Sequence, residues 1–152
     1  MKKTPLRRKT TLKRTKMPLL RKKRSKVAKR ASGRVSGVKQ LKTKLWAECK
    51  RITRARHGYV CYTCGKPTDV PHTGHFITSS TCSVEMRYSL DNLRPQCYHC
   101  NINLSGNWVA YEKHLRADGF DTEKMKQKNE DTKGLQYDIL WYERKLAEYR
   151  GL

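Results

Sequence analysis

Three segments of the chain carry inward-facing residues every three to four positions, which is the spacing of an amphipathic helix. The first segment predicts a helix that begins near Val38 and ends at Gly58. The second predicts a helix that ends at Gly119, and the third predicts a final helix over residues 135–149. The periodic positions are, in order, Leu41, Leu45, Cys49 and Ile52; Trp108, Tyr111, His114 and Leu115; and Leu135, Ile139, Tyr142, Leu146 and Tyr149.

Between the first two helices the pattern changes to short apolar runs, which favour strands. Residues 70–78 and 86–89 are predicted to pair, and residues 97–104 to open a short helix that is interrupted at Ser105 and Gly106. Residues 120–133 are mostly polar and predict a linker. The pattern indicates a small α+β fold. Four aromatic residues of the later helices are interpreted first as core and only second as platforms for bases: Trp108, Tyr111, Trp141 and Tyr142.

Charge divides the chain unevenly. Residues 1–44 contain 19 Lys and Arg and no acid, whereas residues 45–152 contain 16 bases and 13 acids, so the two parts carry +19 and +3. Low hydrophobicity and like-charge repulsion predict a disordered basic arm over residues 1–37, followed by one domain over residues 38–152. Charge gathered in this way is typical of a protein that binds nucleic acid. No lipidation motif and no apolar helix face accompany the charge, so a membrane partner is not expected.

Four of the six cysteines form two C-x-x-C pairs, Cys61 with Cys64 and Cys97 with Cys100, separated by 32 residues. This spacing predicts a structural zinc site rather than disulfides, and it favours a reducing compartment such as the cytoplasm. A closed four-sulfur site leaves its metal no open position, so any chemistry must come from other residues. The remaining cysteines, Cys49 and Cys82, are predicted to be small buried side chains.

The residues around these pairs resemble a known family of nucleases. The Gly74-His75 pair, Asn92-Leu93 and Asn101 directly after Cys100 resemble the HNH, or ββα-metal, finger in its zinc-knuckle version, as in endonuclease VII-like proteins. The stretch from about residue 39 to residue 150 is similar to the phage NinG recombination family, also called Rap. That resemblance implies a zinc-stabilised ββα-metal finger flanked by helices, in a protein that cuts branched DNA such as Holliday junctions.

The resemblance also implies roles for single residues. His75 is expected to be the general base, which suits an imidazole because its ordinary pKa of about 6.5 leaves it mostly neutral at working pH. Asn101 is expected to bind a catalytic Mg²⁺ or Mn²⁺ through its amide oxygen. Asn92 is expected to brace the loop and orient His75. Arg87 and Arg94 are candidates to contact DNA phosphates.

One position departs from the endonuclease VII-like pattern, because Gly74 stands where those proteins have an Asp that binds the catalytic metal. The identity of the second residue that binds the catalytic metal therefore stays open. Of the candidates, His72 has the least favourable geometry, since a residue three positions from His75 in a strand should face the opposite way unless Gly74 makes a bulge. The candidates are Asp69, His72, Glu85 and Asp91.

The sequence therefore predicts a metal-dependent, junction-resolving DNA endonuclease of phage origin that acts in the host cytoplasm. A non-catalytic zinc-ribbon DNA-binding protein and an HNH nicking enzyme on unbranched DNA are the two alternatives. Symmetric cutting would favour a homodimer. The apolar face of residues 135–149 is either its interface or a surface that packs on the helix at 41–56.

Overall fold

The computed structural model describes residues 26–152, and their side chains from residue 37 onward. The disorder predicted for residues 1–25 lies outside the described residues. Helix α1 spans Lys26–His57, so it begins well before the predicted start at Val38 and includes residues assigned to the arm. It ends as predicted at Gly58, whose positive φ of 69° allows the chain to turn away. No helix in the described part of the chain has the length and apolar character of a membrane span.

The described residues form a two-stranded antiparallel sheet. Strand β1 is His72–His75 and strand β2 is Leu93–Gln96, with His75 opposite Leu93. The α+β class is confirmed, but the predicted second strand at residues 86–89 is wrong. That segment belongs to helix α2, Val84–Tyr88, because the Ser83 hydroxyl caps the helix by accepting a hydrogen bond from the Met86 amide.

Short helical elements flank strand β2, and longer helices follow. A 3₁₀ turn, Leu90–Asn92, leads into β2, and a five-residue π-helix, His99–Asn103, follows it. Helix α3 is Trp108–Ala117 and helix α5 is Ile139–Arg150. The predicted linker at 120–133 is wrong, since it contains helix α4, Thr122–Thr132, which the Asp121 side chain caps.

Helix α5 packs along α1 and forms the main hydrophobic core with it. The apolar face of residues 135–149 is therefore covered within the chain by the helix at 41–56, although Leu135 lies outside the helix and is half exposed. Cys49 is fully buried in this core, as predicted. The buried residues of the core are Leu45, Cys49, Ile52, Tyr88, Leu93, Tyr142, Leu146 and Tyr149.

A second, smaller core lies under helix α3. Phe76, Tyr111 and Leu115 are buried there, and the Tyr111 hydroxyl donates a hydrogen bond to the Gly74 carbonyl. Trp108, predicted as core, is 58% exposed at the start of the helix. Leu93 of β2 belongs to the main core, and Tyr111 of the second core bonds to Gly74 of β1, so both cores contact the short sheet.

Candidate functional site

The four paired cysteines meet at one end of the sheet. Their sulfur atoms all lie within 4.8 Å of one another. The first pair sits on a tight turn in which the Gly65 amide donates to the Cys61 carbonyl, and Gly65 has a positive φ of 69°. The Tyr62 amide bonds to the Pro95 carbonyl and ties this turn to β2. The cysteine cluster that the two C-x-x-C pairs predicted is therefore confirmed.

This cluster fits a structural zinc ion. Four sulfurs bound to one zinc at about 2.3 Å lie roughly 3.8 Å apart at the corners of a tetrahedron. The Sγ atoms of Cys64 and Cys97 are 3.9 Å apart, and the Cys100 amide approaches Cys97 Sγ at 3.4 Å. The side-chain amide of Asn107 reaches Cys100 Sγ at 3.9 Å. Such contacts orient the thiolates of a metal site.

His75 ends strand β1, and its ring is fixed on two sides. Its Nε2–H donates a hydrogen bond to the Arg87 carbonyl oxygen at 3.1 Å. The ring stacks on Trp46 of α1, with 5.2 Å between ring centroids and 11° between planes. Because a carbonyl oxygen can only accept, this bond selects the tautomer whose Nδ1 carries the lone pair. Burial, and then the charge of Arg87, hold the pKa of His75 below its ordinary value.

Asn92 is fully buried and braces the segment that follows His75. Its Oδ1 accepts from the Ile77 amide at 2.7 Å, and its Nδ2 donates to the carbonyls of Ile77 and Met86. These bonds join the end of β1 to helix α2, the helix that supplies the Arg87 carbonyl. Asn92 is thus connected to His75 through backbone groups, and the hydrogen bonds of the two described side chains do not join them directly.

Asn101 lies on the π-helix next to the cysteine cluster. Its amide donates to the Cys97 carbonyl at 3.0 Å, so the second cysteine turn fixes its position. Its side-chain Nδ2 lies 3.4 Å from His72 Nδ1. His72, whose alternation with His75 predicted opposite faces, lines the same cleft as His75 and Asn101.

This cleft has a volume of about 820 Å³ and runs between α1 and the sheet. Among the residues that the structure describes, basic side chains but no Asp or Glu line its walls, which gives it a positive potential suited to a polyanion. The basic residues lining it are Lys39, Lys42, Lys50, Arg54 and Arg87.

The two arginines predicted to contact DNA have different surroundings. Arg87 is exposed and lines the cleft, where its guanidinium bonds to the Ser79 carbonyl. Arg94 is 3% exposed, and its Nη1 donates to the carbonyls of Leu90, Asp91 and Leu93. Its guanidinium also packs over the rings of Tyr62 and Phe120. This placement suits packing within the fold rather than contact with a phosphate.

Sequence reasoning missed two contributors to the site. Trp46 occupies a helix face between the periodic core positions, and no sequence signal connects it to His75. The four cleft bases of α1 are separated in sequence from the cysteine region, where the motifs of the site lie. Helical spacing offered a signal, since Lys39, Lys42, Lys50 and Arg54 recur close to one face of α1.

A comparison with protein families complements this geometry. The family model described as bacteriophage lambda NinG protein matches residues 1–151. No curated protein and no solved structure is significantly similar to the chain. Because the family match covers nearly all of the 152 residues, the chain belongs to the bacteriophage lambda NinG protein family.

Proposed function

We propose that this protein is a DNA endonuclease that uses Mg²⁺ or Mn²⁺ and acts on branched recombination intermediates such as Holliday junctions. The observation that carries the proposal is the setting of His75. Its Nε2 is occupied by the Arg87 carbonyl, its Nδ1 holds a lone pair, and it lines a cleft with five cationic side chains. A neutral base beside a phosphate-binding surface is what hydrolysis of a phosphodiester requires.

In this proposal His75 Nδ1 takes a proton from the water whose oxygen forms the new bond to phosphorus. The bond from phosphorus to the leaving oxygen breaks, that oxygen gains a proton from solvent water, and His75 returns the proton it took to the solvent. A bound divalent cation would neutralise charge on the phosphate and the leaving oxygen. Asn101 would hold it, and Arg87 and the lysines of α1 would hold the DNA backbone. A zinc ion held by the four cysteines would only fix the positions of Asn101 and β2, because its four ligands would close the site.

One observation favours a different class of function. In the part of the chain whose side chains are described, no carboxylate lines the cleft, and carboxylates are the common protein ligands of Mg²⁺. A protein with this cleft and a zinc knuckle could bind DNA without cutting it. A nicking enzyme on unbranched DNA is a further outcome of the same test. A homodimer would have to use a surface other than the apolar face of α5, which is covered by α1.

The test is single-turnover cleavage of a four-way junction and a linear duplex, with Mg²⁺ and with Mn²⁺. We expect cleavage of the junction by the wild type and a loss of at least ~10² in rate for His75→Ala, the range assigned to acid–base catalysis. The control is His99→Ala, which removes an exposed imidazole outside the cleft. Zinc content and DNA affinity should stay unchanged in both variants.

Two results would contradict the proposal. If His75→Ala cleaved DNA at the wild-type rate, His75 would not be the general base. The absence of cleavage by the wild type with either metal, together with retained DNA binding, would favour the zinc-ribbon binding protein.

A further inference from the structure

Within the cleft, the side-chain NH2 group of Asn101 lies at hydrogen-bond distance from His72 Nδ1. The distance between His72 Nδ1 and the side-chain nitrogen of Asn101 is 3.4 Å. An Asn side chain presents its oxygen in place of its nitrogen after a half turn, because the two ends have nearly the same shape. Turned in this way, Asn101 would direct an oxygen lone pair and His72 a nitrogen lone pair toward one point.

The spacing of these two atoms suits a shared cation. Two neighbouring ligands at roughly 2.1–2.2 Å from an octahedral ion lie about 3 Å apart, close to the observed separation. The His72 ring is also held, since it meets the edge of Tyr98 at 5.7 Å between centroids. Asn101 is held by the bond from its amide to Cys97.

The carboxylates considered as second ligands lie elsewhere. Glu85 forms an ion pair with Lys128 at 2.8 Å and accepts a hydrogen bond from Tyr137. Glu85 and Asp91 line a different cavity, and Asp69 is exposed and does not line the cleft. Of the four candidates, only His72 shares the cleft with His75 and Asn101.

We infer that His72 Nδ1 and Asn101 Oδ1 bind the catalytic divalent cation together with an oxygen of the DNA phosphate, and that this donor set favours Mn²⁺ over Mg²⁺. The inference rests on the proposed function, since it takes the cleft to bind a phosphodiester. Mg²⁺ prefers oxygen ligands alone, whereas an imidazole nitrogen suits transition metals. Five basic side chains line the cleft and both protein ligands are neutral, so the cation binds well only when DNA supplies negative charge.

The chain provides a matched control pair on the same π-helix. Asn103 Nδ2 lies 3.3 Å from His99 Nδ1, nearly the spacing of the first pair. Both residues are exposed, and neither lines the cleft. A cation held only by the chemistry of a His–Asn pair would bind equally at both places. A cation that also needs the phosphate in the cleft would bind only at His72 and Asn101.

The experiment measures Mn²⁺ binding by electron paramagnetic resonance, using the full chain with His75→Ala so that a bound DNA junction is not cut. We expect tighter Mn²⁺ binding in the DNA complex than in the free protein or the free DNA. Adding His72→Ala should weaken that binding at least tenfold, since loss of even an outer-shell partner costs about 10–100-fold. Adding His99→Ala should leave it unchanged. Adding His72→Asp should let Mg²⁺ compete with Mn²⁺ at lower concentration, because it supplies a hard oxygen ligand.

Zinc content checks the fold of each variant, and Asn101→Ala gives a second route to the same site should His72→Ala lose zinc. Unchanged Mn²⁺ affinity in His72→Ala or Asn101→Ala, or equal losses in His72→Ala and His99→Ala, would overturn the inference. The outcome is separable from that of the proposed function. If the wild type cleaves DNA but Mn²⁺ binding does not depend on His72, only the ligand assignment is refuted. If Mn²⁺ binding depends on His72 but the wild type does not cleave DNA, only the nuclease activity is refuted.

Discussion

The protonation state of His75 decides whether its Nδ1 can act as a base. Burial disfavours the charged imidazolium, and the nearby charge of Arg87 disfavours it further, so the pKa of His75 is lowered from its ordinary value. The hydrogen bond to the Arg87 carbonyl acts in the opposite direction, because the charged ring would donate it more strongly. The net effect keeps the imidazole neutral at pH values at which an exposed histidine is partly charged.

The first residue-scale prediction concerns the pH dependence of cleavage. Activity should be constant at neutral pH and fall as the pH drops through the lowered pKa of His75, with a midpoint below the ordinary value of about 6.5. Arg87→Gln removes the positive charge that helps burial to lower this pKa, so the midpoint should move upward even if the affinity of the variant for DNA falls. The measurement is the single-turnover rate at saturating Mn²⁺ between about pH 5 and 8, the range in which histidine titrates. A wild-type midpoint at or above the ordinary value would argue against a buried neutral base.

Position 74 has no room for the aspartate that the endonuclease VII-like resemblance would place there. A Cβ added at this position would run into the side chain of Gln96 on the partner strand. Gln96 cannot easily move, because its Nε2 donates to the Gly106 carbonyl at 2.7 Å and to Thr63 Oγ1 at 3.2 Å. The sequence shows the glycine at position 74 but not the reason for it. The clash with Gln96 follows from the pairing of the two strands, in which Gly74 lies opposite Arg94.

At the scale of elements, the three periodic helices, the strand within residues 70–78 and the short helix within residues 97–104 could be predicted, whereas β2, α2 and α4 could not. Strand β2 was missed because Arg94 and Pro95 are unusual in a buried strand. Both are accommodated, since Arg94 bonds to backbone carbonyls and Pro95 offers its carbonyl to Tyr62. Helix α4 is polar on most of its surface, and only Thr122 and Asn129 are buried. Its Asp121 cap was a signal available in the sequence.

The element-scale prediction concerns the cysteine turns. Cys64→Ser should release the zinc although this side chain is exposed, because a tetrahedral site needs all four sulfurs. Metal binding contributes on the order of 10 kcal/mol to folding in small zinc domains, so the variant should lose its thermal transition or unfold at much lower temperature. Cys82→Ser is the matched control, since Cys82 lies outside the cluster. Elemental analysis and thermal unfolding measure both effects. Full zinc content in Cys64→Ser would exclude the four-sulfur site.

At the scale of the whole molecule, charge is the property that can be read most directly from the sequence, and the structure shows where the positive side chains lie. Residues 1–25 hold 12 Lys and Arg and no acid, and α1 continues the same bias into the cleft. The sequence could predict binding to a polyanion. It could not predict that α1 would place four of its bases in the cleft that His75 lines, because that depends on the packing of α1 against α5 and the sheet.

The last prediction separates the affinity of the basic amino-terminal segment from the selectivity of the cleft. A chain that starts at Lys26 keeps all of α1 and has 12 fewer positive charges, so its affinity for every DNA should fall. The slope of log K against log salt should flatten by about 0.9 for each phosphate that the shorter chain no longer neutralises. Charge alone does not distinguish a junction from a duplex, whereas a phosphate at a branch point reaches the cleft at a lower cost of DNA deformation. We therefore expect both chains to cleave a four-way junction near its crossover faster than a duplex of the same sequence, with a similar ratio of rates. Equal rates on both substrates would indicate a non-specific nuclease, and a ratio that disappears with residues 1–25 would place the selectivity in that segment.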